Sequence, residues 1–316
     1  MKCLSATKLK LGVWGVIGIL SGVGGCTAGK WGYIGSDYQM AIQLQFEDAT
    51  PFSEGLAAVK IGAKWGYIDL TGKMVIQPQF DAAWHFRDGL ASVMTEDKWG
   101  FIDKTGEFVI RPQFESAGSF SEELAPVEAG GQWGFIDKTG NFAIQPQYQY
   151  AGRFSEGLAE IKVGGNWGFI DKTGQMAIKP EYTLVFPFSE GVAAVLVGKK
   201  HGFIDKTGEM VIKPEFDNAL SFGDSLAPVK VGLQWGYINK MGQIVIAPQF
   251  AMAFPFHDGL APVKVDYKWG YIFNTGQFAV WPKYDGAYPF SEGLAMVKIG
   301  RAVGYIDKTG RYMRML

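Results

Sequence analysis

The chain has 316 residues and a formal net charge of −1 with both signs interspersed, so no basic block or stripe marks a nucleic-acid partner. Aromatics at 15% and 43 glycines exclude both disorder and collagen. The only cysteines are Cys3 and Cys26, which excludes a disulfide framework.

Residues 1–25 stand apart from the rest. Lys2, Lys8 and Lys10 lead into an apolar run from Leu11 to Gly25, broken only by Ser21. This is the charged and then apolar pattern of a secretory signal, too short for a comfortable membrane span. The run ends Val23-Gly24-Gly25-Cys26, which resembles the lipobox of bacterial lipoproteins, although Leu is commoner than Val at position 23. The resemblance implies that Cys26 becomes the lipidated first residue of the mature chain. Residues 26–29 then form a short tether, and the protein is a membrane-anchored lipoprotein facing the periplasm or the cell surface. An uncleaved anchor, or cleavage a few residues later to give a soluble exported protein, is the alternative.

From residue 30 to 316 one unit recurs. Trp31, Trp65, Trp99, Trp133, Trp167, Trp235 and Trp269 stand at multiples of 34 residues, with His201 and Val303 in the two remaining slots, and Gly follows all nine. A fixed period of this size means one supersecondary unit stacked many times, each burying its apolar face against its neighbours. Tetratricopeptide repeats share the period. Here, however, Gly or Pro interrupts every few residues, and the apolar runs are rich in Val, Ile and Phe, so helix is untenable.

Within a unit the first strand reads Trp-Gly-aromatic-Ile, apolar or small on both faces and therefore buried on both sides. Asp-Lys-Thr-Gly follows, complete at 103–106, 137–140, 171–174, 205–208 and 307–310. It reads as a turn whose Asp accepts backbone amides and whose Gly takes the left-handed conformation. A second strand such as Phe108-Val109-Ile110 ends near a recurrent Pro. A longer connection then carries an aromatic, a small residue and an invariable Phe, from Phe52 to Phe290, and so is packed rather than loose. A third strand, Leu-Ala-x-Val, closes the unit. Pro126, Pro228 and Pro262 within it mark an edge, or an amide that pairs with nothing.

W-G-[YF]-I-D-x-T-G together with F-S-E-G-L-A, in nine registered copies, resembles the WG repeat family of bacterial proteins. The resemblance implies an all-β repeat module of exported or surface proteins, variable in copy number and without a known reaction. We expect tandem antiparallel three-stranded meanders in an open superhelical stack. The alternative is a closed propeller-like ring of about eight blades. Degenerate first and last units favour the open form, as caps of an array.

Most repeated residues belong to the frame. The acidic residue after each Phe-Ser, from Glu54 to Glu292, suits a turn carboxylate better than a row of cation sites. His85, His201 and His257 have no metal-ligand spacing, and no nucleophile elbow, phosphate loop or dinucleotide fingerprint occurs. We therefore expect no enzyme, no metal and no cofactor. Function is sought where units differ. The slot nineteen residues after each Trp reads Thr50, Trp84, Gly118, Gly152, Phe186, Leu220, Phe254 and Tyr288. Trp84, Phe186, Phe254 and Tyr288 are the candidate binding surface, against the reading that they fill gaps between units. The expected function is an exported, non-enzymatic scaffold that binds a protein or envelope partner through an extended β surface. The alternative is a glycan or cell-wall binder, since WGFIDKTGEFVI resembles the aromatic hairpins of choline-binding repeats.

Overall fold

The computed structural model describes residues 15–19, 30–34, 40–291, 293–300 and 302–313. These form nine antiparallel sheets arranged as the blades of a ring. Blade 1 consists of Gly15–Ile19, Lys30–Ile34 and Met40–Phe46. Blades 2 to 8 run 48–80, 82–114, 116–148, 150–182, 184–216, 218–250 and 252–284, and blade 9 runs 286–313. The open stack is thus corrected to a closed ring, and the eight expected blades to nine. Closure brings the Gly15–Ile19 strand of blade 1 against Ala302–Asp307 of blade 9. Burial first, and then nearby Tyr305 of blade 9, push the Tyr33 phenol well above its ordinary range. The additional blade is blade 1, built on the hairpin 30–46, whose worn sequence reads as a cap.

Blade 4 shows how the sequence makes a unit. Its strands are Ser116–Ala117, Ala125–Ala129, Gln132–Ile136 and Phe142–Tyr148, hydrogen-bonded in that order. The unit is therefore four-stranded, not three-stranded: the small residue of the connection, Ala117, pairs with Val127 and starts the sheet. The Trp-Gly strand is central and both its faces are covered, with Phe135 and Ile136 fully buried. Its pairing with Phe142–Tyr148 slips between Trp133↔Tyr148 and Phe135↔Ile144, a bulge over Gly134. A Cβ on Gly134 would lie 2.6 Å from both the Ile144 carbonyl oxygen and the Pro146 nitrogen. This explains the Gly after every Trp and the recurrent Pro, which sits where the ladder is already broken.

The turns behave as their residue types dictate. Asp137 Oδ1 accepts hydrogen bonds from Thr139 N (2.9 Å), Thr139 Oγ1 (2.6 Å) and Asn141 N (3.1 Å), and Gly140 has φ 87°. The hydrogen bond from Thr139, with support from the backbone amides, holds the Asp137 carboxyl below its ordinary range. Pro126 lies in an interior strand, not at an edge. The neighbouring carbonyl that its amide would meet is taken elsewhere in the ring by a tyrosine hydroxyl, as when Tyr67 donates to the Trp84 oxygen at 2.8 Å.

Contacts between blades repeat in one direction. The Gly140 turn of blade 4 rests on Ile110 of blade 3. Ser121 Oγ donates to the Phe154 oxygen of blade 5 at 2.8 Å. Glu122 accepts from Gly157 N at 3.1 Å and pairs with Lys172 at 2.9 Å, both in blade 5. No helix among the described residues is long and apolar enough to cross a membrane. Residues 20–29, including Cys26, lie outside the described residues, and Gly15–Ile19 falls within the segment read as a signal.

Candidate functional site

One loop region of each blade carries the variable residues on a constant backbone. The slot amide donates to the strand beside it, as Trp84 N does to Ser92 O (3.0 Å) and Phe254 N to Pro262 O (3.1 Å). The slot carbonyl accepts a tyrosine hydroxyl wherever the Trp-Gly strand carries Tyr: Tyr33 to Thr50, Tyr67 to Trp84, Tyr237 to Phe254 and Tyr271 to Tyr288. In these four blades both backbone groups are used. Where the strand carries Phe, at Gly118, Gly152, Phe186 and Leu220, the amide alone is held among the described residues, and at every slot the side chain is the part that varies.

The four candidate residues separate on this scaffold. Trp84 in blade 3 and Tyr288 in blade 9 are exposed, at 49% and 41%. Phe186 in blade 6 is half-buried against its blade's core. Phe254 in blade 8 is half-buried and stacks on Trp269, with centroids 5.4 Å apart and planes at 17°. Among the described residues no ring contact joins any two of the four. They occupy equivalent places around one rim rather than a single patch.

The acidic row is used by the fold, as its regularity suggests. Glu54, Asp88, Glu122, Glu156, Glu190, Asp224 and Asp258 each accept a backbone amide from the next blade. Most also sit at φ near 50° in the two-residue hairpin before the Leu-Ala strand. For Glu122, burial works toward protonation, but Lys172 and the Gly157 amide outweigh it and keep the carboxyl below its usual range. Glu292 lies outside the described residues. His201 is buried in its Trp slot, and burial lowers its pKa. Among the described residues no cluster of His, Cys, Asp or Glu is arranged to hold a metal.

The structure adds a feature that the slot comparison passed over. Where the slot is Gly, at Gly118 and Gly152, the ring opens into a cavity of about 460 Å³. Arg87 of blade 3, Pro126 and Trp133 of blade 4, and Tyr150, Arg153 and Glu160 of blade 5 line it. The Tyr150 ring is wedged between Trp133 (5.5 Å) and Trp167 (5.3 Å). Glu160 stands where the other blades place Ala58, Ser92, Pro126, Ala194, Pro228, Pro262 and Met296. A Cβ on Gly152 would overlap its carboxylate, so this Gly and this Glu are required together.

Glu160 Oε2 is buried without a hydrogen-bond partner among the described residues. Burial raises its pKa to about 7, against smaller opposing pulls from its own backbone amide and then from Arg153. Arg87 and Arg153 are exposed, and neither is ion-paired among the described residues. Arg87 Nε donates to His85 Nε2 at 2.9 Å. Burial, then Arg87 and Arg153, lower the His85 pKa and keep its imidazole neutral. The signal in the sequence was the one charged residue in the third-strand slot of Leu-Ala-x-Val.

The ring resembles known folds more than known proteins. Among solved structures, the crystal structure of the eukaryotic initiation factor superposes with a TM-score of 0.64 at 11% identity, over 90% of this chain and 92% of that one. Dihydro-heme d1 dehydrogenase NirN gives 0.48 at 10% identity over 79% and 70%. Kluyveromyces lactis Hsv2p gives 0.46 at 11% identity over 79% and 91%. At such identities the first likeness shows a shared fold alone, and the other two carry no argument. No curated protein matches in sequence. The WG containing repeat matches at 31–65, 65–99, 99–133, 133–167, 167–200, 202–232, 235–269 and 269–301, and with almost the whole ring covered the chain belongs to the WG containing repeat family.

Proposed function

We propose that the protein is a non-enzymatic binding scaffold of the cell envelope, exported by residues 1–25 and held at the membrane through a lipid on Cys26. Cleavage there removes the Gly15–Ile19 strand from blade 1 and leaves the hairpin 30–46, with Tyr33 beside Tyr305, to close the ring. Its rim, carrying Trp84 and Tyr288, engages a protein partner. The observation that supports this is the division of labour at the slot: the backbone amide is fixed by a hydrogen bond every time while the side chain varies from Gly to Trp. Exposed aromatic rings on an ordered loop supply contact area at little entropic cost. Cross-linking in intact envelopes tests the reading. One specific protein should be recovered with the native chain and lost with Trp84→Ala/Tyr288→Ala, and Cys26→Ser should move the protein from the membrane to the soluble fraction. Equal recovery by the doubly substituted chain would remove the rim from the proposal.

A second reading, glycan binding, has its own support in the cavity at Gly118 and Gly152. Its Trp133 and Tyr150 rings and its few convergent polar groups suit a sugar.

A further inference from the structure

Five departures from the repeat converge on one place. Arg87 replaces the Ser that at Ser53, Ser121, Ser155 and Ser189 ties a blade to the next carbonyl, as Ser53 does to Phe86 O at 2.6 Å. Gly223 and His257 also depart here, but away from the cavity. Arg153 stands where Pro51, Pro187, Pro255 and Pro289 occupy other blades. Gly118 and Gly152 remove the slot side chains, and Glu160 adds a carboxylate to a slot of small or apolar residues. The fold needs none of these, because each neighbouring blade forms without them. We infer that the cavity is a binding site for a carboxylated sugar, whose carboxylate pairs with Arg87 and Arg153 and whose hydroxyl donates to Glu160. The inference rests on the glycan reading.

The chemistry follows from what the cavity leaves unsatisfied. Among the described residues neither exposed guanidinium at the mouth is ion-paired, Arg153 acting on Glu160 only at longer range, and such forks bind carboxylates well. At the floor, Glu160 Oε2 is buried without a donor among the described residues, which is costly until a ligand supplies one. A hydroxyl meets that need whether the carboxyl is charged or neutral. An ammonium group would have to approach past two arginines. The walls offer the Trp133 and Tyr150 rings for a sugar face to lie against. About 460 Å³ lies within the usual range for ligand sites. A peptide main chain has less to hold it. The amides of Gly118 and Gly152 already donate to Pro126 O (2.9 Å) and Glu160 O (2.8 Å), so these positions offer no amide for strand addition. Neither Trp84 nor Tyr288 lines the cavity, which separates this site from those two rings although it opens on the same rim.

The variant that tests it is already written in the ring. Leu220 faces Pro228 and Phe254 faces Pro262 in blades 7 and 8, each through the bond from slot amide to proline carbonyl. Gly118→Leu opposite Pro126 copies that pairing and fills the cavity. A Cβ there would start 2.8 Å from Pro126 Cγ, so the proline ring must give way, and Arg153→Gln is the variant that adds no such contact. The experiment titrates the full chain with glucuronate and digalacturonate, with maltose as the neutral comparison and a tripeptide as the competing ligand. Saturable tryptophan fluorescence change and calorimetric heat are read together. The acidic sugars should bind at least about tenfold more tightly than maltose. Gly118→Leu and Arg153→Gln should each weaken them by about tenfold or more, Arg153→Gln with the melting midpoint retained, and Trp84→Ala should change nothing. Binding of maltose equal to that of the acidic sugars would overturn the carboxylate assignment and leave the glycan reading standing. No saturable sugar binding would overturn both. Tripeptide binding that Gly118→Leu abolishes, without sugar binding, would reassign the cavity to a peptide terminus.

Discussion

Glu160 shows what one residue can cost a repeat. Its carboxyl is raised from 4.5 to about 7, chiefly by burial, so the folded protein holds that proton more tightly than the unfolded chain does. The stability linked to it is complete below about pH 4.5 and is lost as pH rises through about 7. A shift of this size corresponds to about 3 kcal/mol. Glu160→Gln keeps the shape and removes the titration. Its stability relative to the native chain should therefore rise by about 3 kcal/mol between pH 4 and pH 8, as read by urea unfolding at each pH. The turn aspartates, whose carboxyls are held low, lose stability on the acid side in both proteins and cancel from the difference. A flat difference across that range would show that Glu160 is solvated rather than buried. A carboxylate kept at such cost in one blade of nine points to use rather than architecture.

At the scale of the element, the Trp-Gly strand and its bulge form the unit's least tolerant point. Gly134→Ala would drive a methyl into the Ile144 carbonyl and the Pro146 nitrogen, both backbone atoms that cannot turn aside. It should destabilise the protein by about 3 kcal/mol or more, whereas Gly130→Ala, a turn position with open space around its Cβ, should cost only the strain of φ 62°. Thermal melting of the two variants side by side checks the ordering. The sequence made the strands, the Asp-Lys-Thr-Gly turn and the two-sided burial of Phe135 and Ile136 legible, because each depends on local residue types. The two-residue strand Ser116–Ala117 was not legible. Two residues carry no periodicity, and their pairing with Glu128 and Val127 is set by the fold of the connection. The cavity escaped for a related reason. Glycine at a variable slot reads as absence until its neighbours show that Arg87, Arg153 and Glu160 face the space it leaves.

At the scale of the molecule, ring and stack differ in closure, which no local residue declares. The contacts from Ser121 to blade 5 and from Gly140 to Ile110 would serve an open superhelix equally well. Only the meeting of blades 1 and 9 distinguishes the two, at Gly15–Ile19 with Ala302–Asp307 and at Tyr33 beside Tyr305. The second contact does not depend on residues 1–25, and both join the most degenerate units of the sequence. The overall dimensions are decisive. A compact chain of 316 residues has a radius of gyration of about 20 Å. Nine sheets piled about 10 Å apart would make a body roughly 90 Å long, with a radius of gyration of at least about 26 Å from its length alone. Small-angle scattering of the full chain should give about 20 Å, with the pair-distance distribution of a disc. A value near that of the rod would reopen the ring, and with it the equivalence of rim positions that places Trp84 and Tyr288 on one face.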